Sequence, residues 1–152
     1  MRKTFYEKLS IELPDSLEEM SDDEKKQYYP MLLLDFAWID RGSKSIFGLK
    51  RQGNVQLEKK DVKSRIVAYE EYYHRMCPGY QRGEILMRRE TLFNLGILSY
   101  KSNTPDSMRF SILGVMNFMD TEVLISMSCD VGKAIDEMPK FTAILQSIDV
   151  NK

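Results

Sequence analysis

The fold is decided by the stretch MRFSILGVMNFMDTEVLISMS, which spans residues 108–128. It predicts two β-strands, at residues 108–118 and 122–128, because apolar side chains alternate with their neighbours along both segments. Two further strands are expected before them, at residues 84–92 and 95–101. Since the connections among these four strands are short, we expect them to form an antiparallel meander.

Two amphipathic helices lie on either side of this meander in the sequence. The first is predicted over residues 59–76, and Pro78 and Gly79 end it. Its apolar stripe consists of Val62, Ile66, Tyr69, Tyr73 and Met76. The stripe of the second consists of Val131, Ile135, Met138, Thr142, Leu145 and Ile148. Asp130 is a candidate cap of this last helix, which Pro139 is expected to kink or split near Ile135.

The first third of the chain predicts three strands and a short helix. A strand at residues 9–13 ends at Pro14, and the capping-box sequence Ser21-Asp22-Asp23-Glu24 begins a helix that ends at Tyr29. Strands follow at residues 31–39, apolar on both faces and therefore central, and at residues 45–50. This order predicts one α+β domain over residues 1–152, with helices flanking a largely antiparallel sheet of about six to seven strands.

The composition is typical of an ordinary globular protein. The chain has 152 residues, of which 43% are apolar and 30% charged, and its formal net charge is −1. This balance gives no general electrostatic reason to bind nucleic acid or an anionic membrane. No apolar run approaches the ~18 residues of a membrane-spanning helix, and two cysteines far apart in sequence agree with a reducing compartment. We therefore expect a cytoplasmic protein without a nucleic-acid partner and without membrane insertion.

Two local motifs suggest chemistry that the surrounding sequence does not support. Gly42-Ser43-Lys44-Ser45 lacks the residue order of a phosphate-binding loop and is expected to be a hairpin turn. A basic group without an RNA-binding aromatic motif is formed by Lys44, Lys50, Arg51, Lys59, Lys60, Lys63 and Arg65. Neither feature changes the expected class of protein.

The segment YEEYYHRMCPGY, residues 69–80, holds four of the eight tyrosines, the single histidine and one of the two cysteines. His74 and Cys77 could touch on a helix, but a nucleophilic pair also needs an orienting group and an oxyanion site, and neither is visible. A structural zinc site needs four cysteine or histidine ligands. We expect no metal and no cofactor, and no carboxylate pair stands out as catalytic. Tyr72 and Tyr80 are expected to belong to a contact surface.

Both ends of the sequence resemble one structural superfamily. SIELPDSLEEMSDDEKKQYYP (residues 10–30) is similar to the opening of PsbP-like domains, and LISMSCDVGKAIDEMPKFTAILQSIDV (residues 124–150) resembles their last strand and closing helix. Ser16 and Leu17 stand where such domains often have glycine followed by an aromatic residue. This group also includes a Ran-binding nuclear import factor and bacterial DcrB-like proteins. The resemblance implies an α/β/α sandwich and a largely non-enzymatic group that binds a small GTPase, a photosystem or apolar segments of secreted effectors.

The leading functional hypothesis is a non-catalytic cytosolic module, an adaptor or a chaperone-like protein, that binds another polypeptide. Its contact surface is expected on an exposed sheet face or sheet edge. Besides Tyr72 and Tyr80, the expected contact residues are Met108, Phe110, Ile112, Met116 and Phe118, which Val123, Ile125 and Met127 could extend. The competing interpretation makes this face core beneath the helices.

Two other functions remain open from the sequence. One is a small-molecule-binding protein or an unrecognised enzyme, with a pocket between helix and sheet. Its polar groups would be Tyr69, Tyr73 or His74 beside Arg88 or Arg89. The other is a homodimer with a purely structural role.

Overall fold

The structure, a computed structural model, describes residues 1–28 and 34–152. Its three helices are α1 (Asp22–Tyr28), α2 (Val62–Met76) and α3 (Ala134–Ser147). Its ten strands are β1 (Arg2–Phe5), β2 (Leu9–Glu12), β3 (Leu17–Glu19), β4 (Phe36–Asp40), β5 (Ile46–Gln56), β6 (Gln81–Arg89), β7 (Asn94–Asn103), β8 (Met108–Phe118), β9 (Thr121–Asp130) and β10 (Asp149–Val150). The predicted helix end at Tyr29 and residues 31–33 of the predicted strand 31–39 lie outside the described residues.

Seven strands form one antiparallel sheet in the order β3-β4-β5-β9-β8-β7-β6. The strands β6 to β9 are the predicted meander, in which Met116 of β8 lies opposite Val123 of β9. A second, three-stranded sheet has the order β1-β2-β10. The predicted α+β architecture with a largely antiparallel sheet of about seven strands is therefore confirmed.

The large sheet is covered on both faces. On one face, Val62 and Ile66 of α2 pack on Leu98, Leu113 and Val115. On the other face, α3 and the three-stranded sheet share the main core with β5, β8 and β9. Because successive side chains of a strand point to opposite faces, β8 and β9 contribute to both cores.

Helix α2 lies very close to the sheet at Gly96 of β7. A Cβ atom at this position would lie 3.0 Å from both Cβ and Cγ2 of Ile66. The absence of a side chain at Gly96 therefore sets the distance between helix and sheet. The prediction that Met76 belongs to the buried stripe is wrong, however, because α2 extends past this contact and Met76 is exposed.

Helix α3 has a different buried side from the predicted one. Its core-facing residues are Glu137, Phe141, Ile144 and Leu145, whereas Ile135 is 89% exposed. Pro139 lies inside the helix, which continues on both sides, so the predicted split is wrong. Asp130 makes no side-chain capping bond, because a short 3₁₀ turn, Val131–Lys133, separates it from α3.

A capping box begins α1, as predicted. The Ser21 hydroxyl accepts from the backbone N–H of Glu24, and the Glu24 carboxylate accepts from the backbone N–H of Ser21, each at 3.2 Å. Arg41 donates to Glu24 through both terminal nitrogens, at 2.8 and 3.0 Å, and to Glu18 of β3 at 2.7 Å. These bonds attach α1 to the edge of the large sheet.

This arrangement predicts a pH-dependent contribution to stability. Hydrogen bonds from Arg41 and from the backbone of Ser21 lower the pKa of Glu24 from 4.5 to about 2. Because the folded pKa lies below the unfolded one, the contribution is complete above about pH 4.5 and is lost as the pH falls towards 2. The free energies of unfolding of the wild type and of Glu24→Gln, measured in urea, should differ at pH 6. They should converge as the pH falls from about 4.5 towards 2. A difference that stays constant down to pH 2, or an equal convergence for the exposed control Glu71→Gln, would contradict the assignment.

Among residues 1–28 and 34–152, no helix has the length and apolar character needed to cross a membrane.

Candidate functional site

The face of β8 that carries Phe110, Ile112, Met116 and Phe118 is core. All four side chains are buried, together with Val123, Ile125 and Met127 of β9, and only Met108 is half-buried. The reason is that β2, β10 and the buried side of α3 cover this face. The prediction that it is an exposed contact surface is therefore corrected.

Tyrosines from the second half of α2, from the segment after it and from β7 form an aromatic cluster on the opposite face of the sheet. Tyr73 contacts Tyr69 and Tyr100 with ring centroids 6.1 and 5.3 Å apart, and Tyr80 stacks on Tyr100 and on His74 at 5.5 and 5.3 Å. Burial raises the pKa of Tyr73 and Tyr80 to about 12, so both hydroxyls stay protonated at neutral pH. Tyr80 is thus half-buried within the cluster. Its role in a contact surface remains a prediction.

Tyr72 and Cys77 lie at the border of this cluster. Tyr72 is 49% exposed and remains available for contacts. Burial raises the pKa of the Cys77 thiol, which is the opposite of the shift that activates a cysteine nucleophile. The ring of His74 is stacked on Tyr80. The geometry therefore gives no support to a Cys77–His74 nucleophilic pair.

A buried carboxylate, Glu122 of β9, lies beneath α2 and was missed by the sequence reasoning. It is fully buried. Arg65 of α2 places Nη1 2.8 Å from its Oε2, and the Tyr69 hydroxyl donates to its Oε1. Gln52 of β5 donates to the Tyr69 oxygen at 3.3 Å. Burial, followed by the bond to Glu122, raises the pKa of Tyr69. The group is neutralised and bonded within the chain, which suits a structural role in holding α2 on the sheet.

An open apolar groove lies on the other face, between α3 and the strands β6, β7 and β8. Its volume is about 430 Å³. The apolar lining comes from Leu86, Ile97 and Ile112 on the sheet and from Met138 and Leu145 on the helix. Leu86 is 53% exposed and Met138 36% exposed. The groove therefore presents apolar surface to solvent next to β6, the last strand of the large sheet.

The helix wall of this groove is part of the apolar stripe that the sequence predicted for the core. Met138, Thr142 and Leu145 line the groove, and Ile135 continues the same side of α3 into solvent. The core instead uses the neighbouring side, centred on Phe141 and Ile144. Beside its buried side, which includes Leu145, helix α3 thus has a second apolar side, Ile135 and Met138, that the described part of the chain leaves exposed.

Polar groups are placed at the sheet side of the groove. Arg88 of β6 is held by Nε at 2.9 Å from Glu90, by Nη1 at 2.9 Å from the carbonyl oxygen of Leu145, and over the ring of Phe93 at 5.3 Å. Glu84 and Ser99 also line the groove. The guanidinium links β6 to the end of α3, so it fixes the width of the groove at this point.

The pocket composition predicted for a small-molecule site is not found. Tyr69 and Tyr73 pack on the α2 face of the sheet, whereas Arg88 contacts α3 on the other face. The sheet therefore separates the tyrosines from the arginine, and Arg89 is exposed. Among the described residues, no three histidine, cysteine or carboxylate side chains are arranged to hold a metal ion.

No protein-family model and no curated protein sequence matches this chain. Solved structures do match it. Cyanobacterial PsbP (CyanoP) from Synechocystis sp. PCC 6803 aligns with a TM-score of 0.68 at 12% identity, covering 99% of this chain and 91% of that chain. LpqN, involved in cell envelope biogenesis of Mycobacterium tuberculosis, aligns with a TM-score of 0.62 at 9% identity, covering 95% and 83%.

The Ran-binding protein Mog1p of Saccharomyces cerevisiae aligns with a TM-score of 0.57 at 11% identity, covering 99% of this chain and 94% of that chain. At such low identity these similarities establish the fold and leave function to be argued from the site. They confirm the resemblance seen in the sequence: the chain has the fold shared by PsbP and the Ran-binding protein Mog1p.

Proposed function

We propose that the protein is a non-catalytic binding module that holds an apolar segment of another polypeptide in the groove between α3 and β6–β7. The observation that carries the proposal is the second apolar side of α3, which faces the groove and solvent. A helix that only covers a sheet needs one apolar side. An exposed apolar patch bordered by polar groups is typical of a binding surface.

The chemistry of the groove suits a polypeptide segment of variable sequence. Met138 is flexible and polarisable, so it can adapt to different apolar side chains. Glu84 and Arg88 offer one charge of each sign on the sheet side. They could orient the polar ends of a segment whose middle is apolar. The groove is open to solvent at Leu86 and Met138, which suits a chain better than a small enclosed ligand.

Two further observations support an adaptor or chaperone-like role in the cytoplasm. Cys77 and Cys129 are both free thiols, which fits a reducing compartment. Mog1p, which shares the fold, is described as Ran-binding, so this architecture can serve protein recognition. The partner's identity does not carry over from that similarity.

A photo-cross-linking experiment tests the proposal. A photoreactive amino acid replaces Met138 or Thr142, two groove residues of α3, in the protein expressed at natural level in its own cells. We expect one discrete cross-linked polypeptide at both positions and none at Met76, an equally apolar exposed control on α2. The cross-linked segment, made as a peptide, should then bind the purified protein at least ~10-fold more weakly after Met138→Asp, because the apolar contact is lost.

Other outcomes would reject this site. Equal labelling at Met76 would show random contact, and a peptide affinity that Met138→Asp leaves unchanged would place the partner elsewhere. Circular dichroism of the aspartate variant controls for folding. If a photoreactive amino acid at Tyr72 cross-links a partner instead, the contact surface lies on the α2 side of the sheet.

A small amphipathic molecule is the second candidate ligand. The groove volume of about 430 Å³ falls within the usual range of ligand sites, and it lies between helix and sheet with Arg88 at its border. Native mass spectrometry of the protein isolated from its own cells distinguishes the two candidates. A retained small mass that Met138→Asp removes would favour this function over polypeptide binding.

A further inference from the structure

The outer edge of β6 is one of the two edges of the large sheet. Among the described residues, no strand pairs with this edge. Unpaired edges are usually protected by shortness, charged side chains, proline or a β-bulge. The opposite edge strand, β3, has only three residues, whereas β6 has nine, and its centre is the uncharged run Ile85-Leu86-Met87. One register shift occurs between Arg82 and Ile85, so the regular pairing with β7 begins at Ile85, and Glu84 directly precedes it.

The direction of the main-chain groups of β6 follows from two bonds. The backbone N–H of Glu84 donates to the Ser99 hydroxyl and that of Glu90 donates to the Phe93 carbonyl, each at 2.9 Å and each towards β7. Since these directions alternate along a strand, Leu86 and Arg88 also face β7. Ile85 and Met87 therefore point their N–H and C=O groups outwards, away from the sheet.

These outward groups can pair with those of an identical strand. In an antiparallel pair related by a two-fold axis at Leu86, Ile85 of one copy lies opposite Met87 of the other. Each residue both donates and accepts, which forms four hydrogen bonds across the axis. Both residues are half-buried and apolar, so their side chains would meet on the α2 face.

The same register matches charges on the groove face. Glu84 of one copy lies opposite Arg88 of the other, twice in the dimer, and Leu86 lies opposite Leu86. Moving the axis to residue 85 or 87 would put one of the charged residues opposite Leu86 and abolish both pairs. A cross-strand pair of unlike charges stabilises two paired strands, whereas a pair of like charges destabilises them.

We propose that two copies of this chain associate by antiparallel pairing of their β6 strands about a two-fold axis at Leu86, which joins their large sheets into one. Arg88 bonds to Glu90 through Nε and to Leu145 through Nη1. Its Nη2 takes part in neither bond and can donate to Glu84 of the second copy. The axis is perpendicular to the sheet, so both grooves lie on the same face of the dimer. The inference concerns the sheet edge and goes beyond the proposed groove function.

Disulfide trapping tests the register. At the axis, the two Leu86 Cα atoms form a pair without mutual main-chain bonds, about 4.5 Å apart, within the roughly 4.4–6.8 Å that disulfides span. In a Cys77→Ser background, Leu86→Cys should cross-link rapidly on mild oxidation. Glu84→Cys alone and Arg88→Cys alone should not, because their own symmetry mates lie about 13 Å apart. A mixture of these two variants should cross-link.

Analytical ultracentrifugation tests the association itself. The wild type should show a monomer–dimer equilibrium in the micromolar range, as expected for a short edge contact. Glu84→Arg should weaken it at least ~10-fold, because each copy then presents arginine to Arg88. The matched control Glu71→Arg, with the same charge change on the exposed surface of α2, should have no effect.

Three results would overturn the proposal. The first is a wild type that remains monomeric up to about 500 µM, far above the range expected here. The second is a dimer that Glu84→Arg leaves intact. The third is cross-linking of Leu86→Cys no faster than that of Leu92→Cys, an exposed control away from the axis. Each readout is independent of any groove ligand, so its failure is distinguishable from failure of the proposed function.

Discussion

Replacing Phe118 with alanine is expected to lower the free energy of unfolding by about 4 kcal/mol, because the substitution leaves a cavity in the main core. The side chain is 1% exposed. Its ring centroid lies 6.1 Å from that of Tyr6 and 5.0 Å from the Arg51 guanidinium, so it also joins β8 to the β1–β2 turn and to β5. Urea unfolding followed by circular dichroism measures the change. The midpoint of thermal unfolding should fall by about 10 °C.

This substitution also decides between core and contact surface for the face of β8. The matched control is Leu86→Ala, whose side chain is about half exposed in the groove and should change stability by less than ~1 kcal/mol. If Phe118→Ala were as mild as Leu86→Ala, the face would be accessible. The original expectation of a contact surface would then be restored.

The second large effect is expected from Arg65→Met. The substitution removes the cation beside fully buried Glu122 and leaves an uncompensated carboxylate under α2. Breaking a buried pair from one side destabilises a protein by about 3–5 kcal/mol. Arg65 is itself one third exposed, so solvent screens part of the interaction and we expect about 2–3 kcal/mol. The matched control, Lys63→Met, removes an exposed charge from the same helix and should change stability by less than ~0.5 kcal/mol.

A double substitution identifies the cause of this loss. Adding Glu122→Gln to Arg65→Met should recover roughly half of the lost stability, because a neutral amide needs no counter-ion and can still bond to the Tyr69 hydroxyl. The measurement is a double-mutant cycle by urea unfolding at pH 7. Strictly additive losses would show that Arg65 acts through packing of its alkyl chain alone.

The sequence predicts the centre of this fold well because the meander is local. Alternation along residues 108–118 identifies β8 with its observed bounds, and the short links identify its neighbours. The weaker predictions concern long-range pairings. β10 has only two residues and exists because it pairs with β2 from the other end of the chain. No local periodicity can signal such a strand.

The candidate site was only half visible in the sequence, for a physical reason. Periodicity shows that Ile135, Met138, Thr142 and Leu145 form an apolar stripe, but it cannot show which side of a helix the sheet will cover. In this structure the side of α3 centred on Phe141 packs on the sheet, because the Phe141 ring reaches the main core. The part of the predicted stripe that the sheet does not cover forms the helix wall of the groove. Glu122 was missed because a single acid at a strand start looks like a surface residue until α2 is placed over it.

The strand order also has a consequence for how the chain folds. β6 to β9 pair between sequence neighbours, and such contacts form early because the loops that they close are short. β5 pairs with β9 across the sheet, with Ile46 opposite Ser128, although α2 and three strands lie between them in the chain. Joining β5 is therefore expected to be a late step. Until then, the edge of β9 is unprotected, and the nascent meander is most exposed to aggregation during that interval.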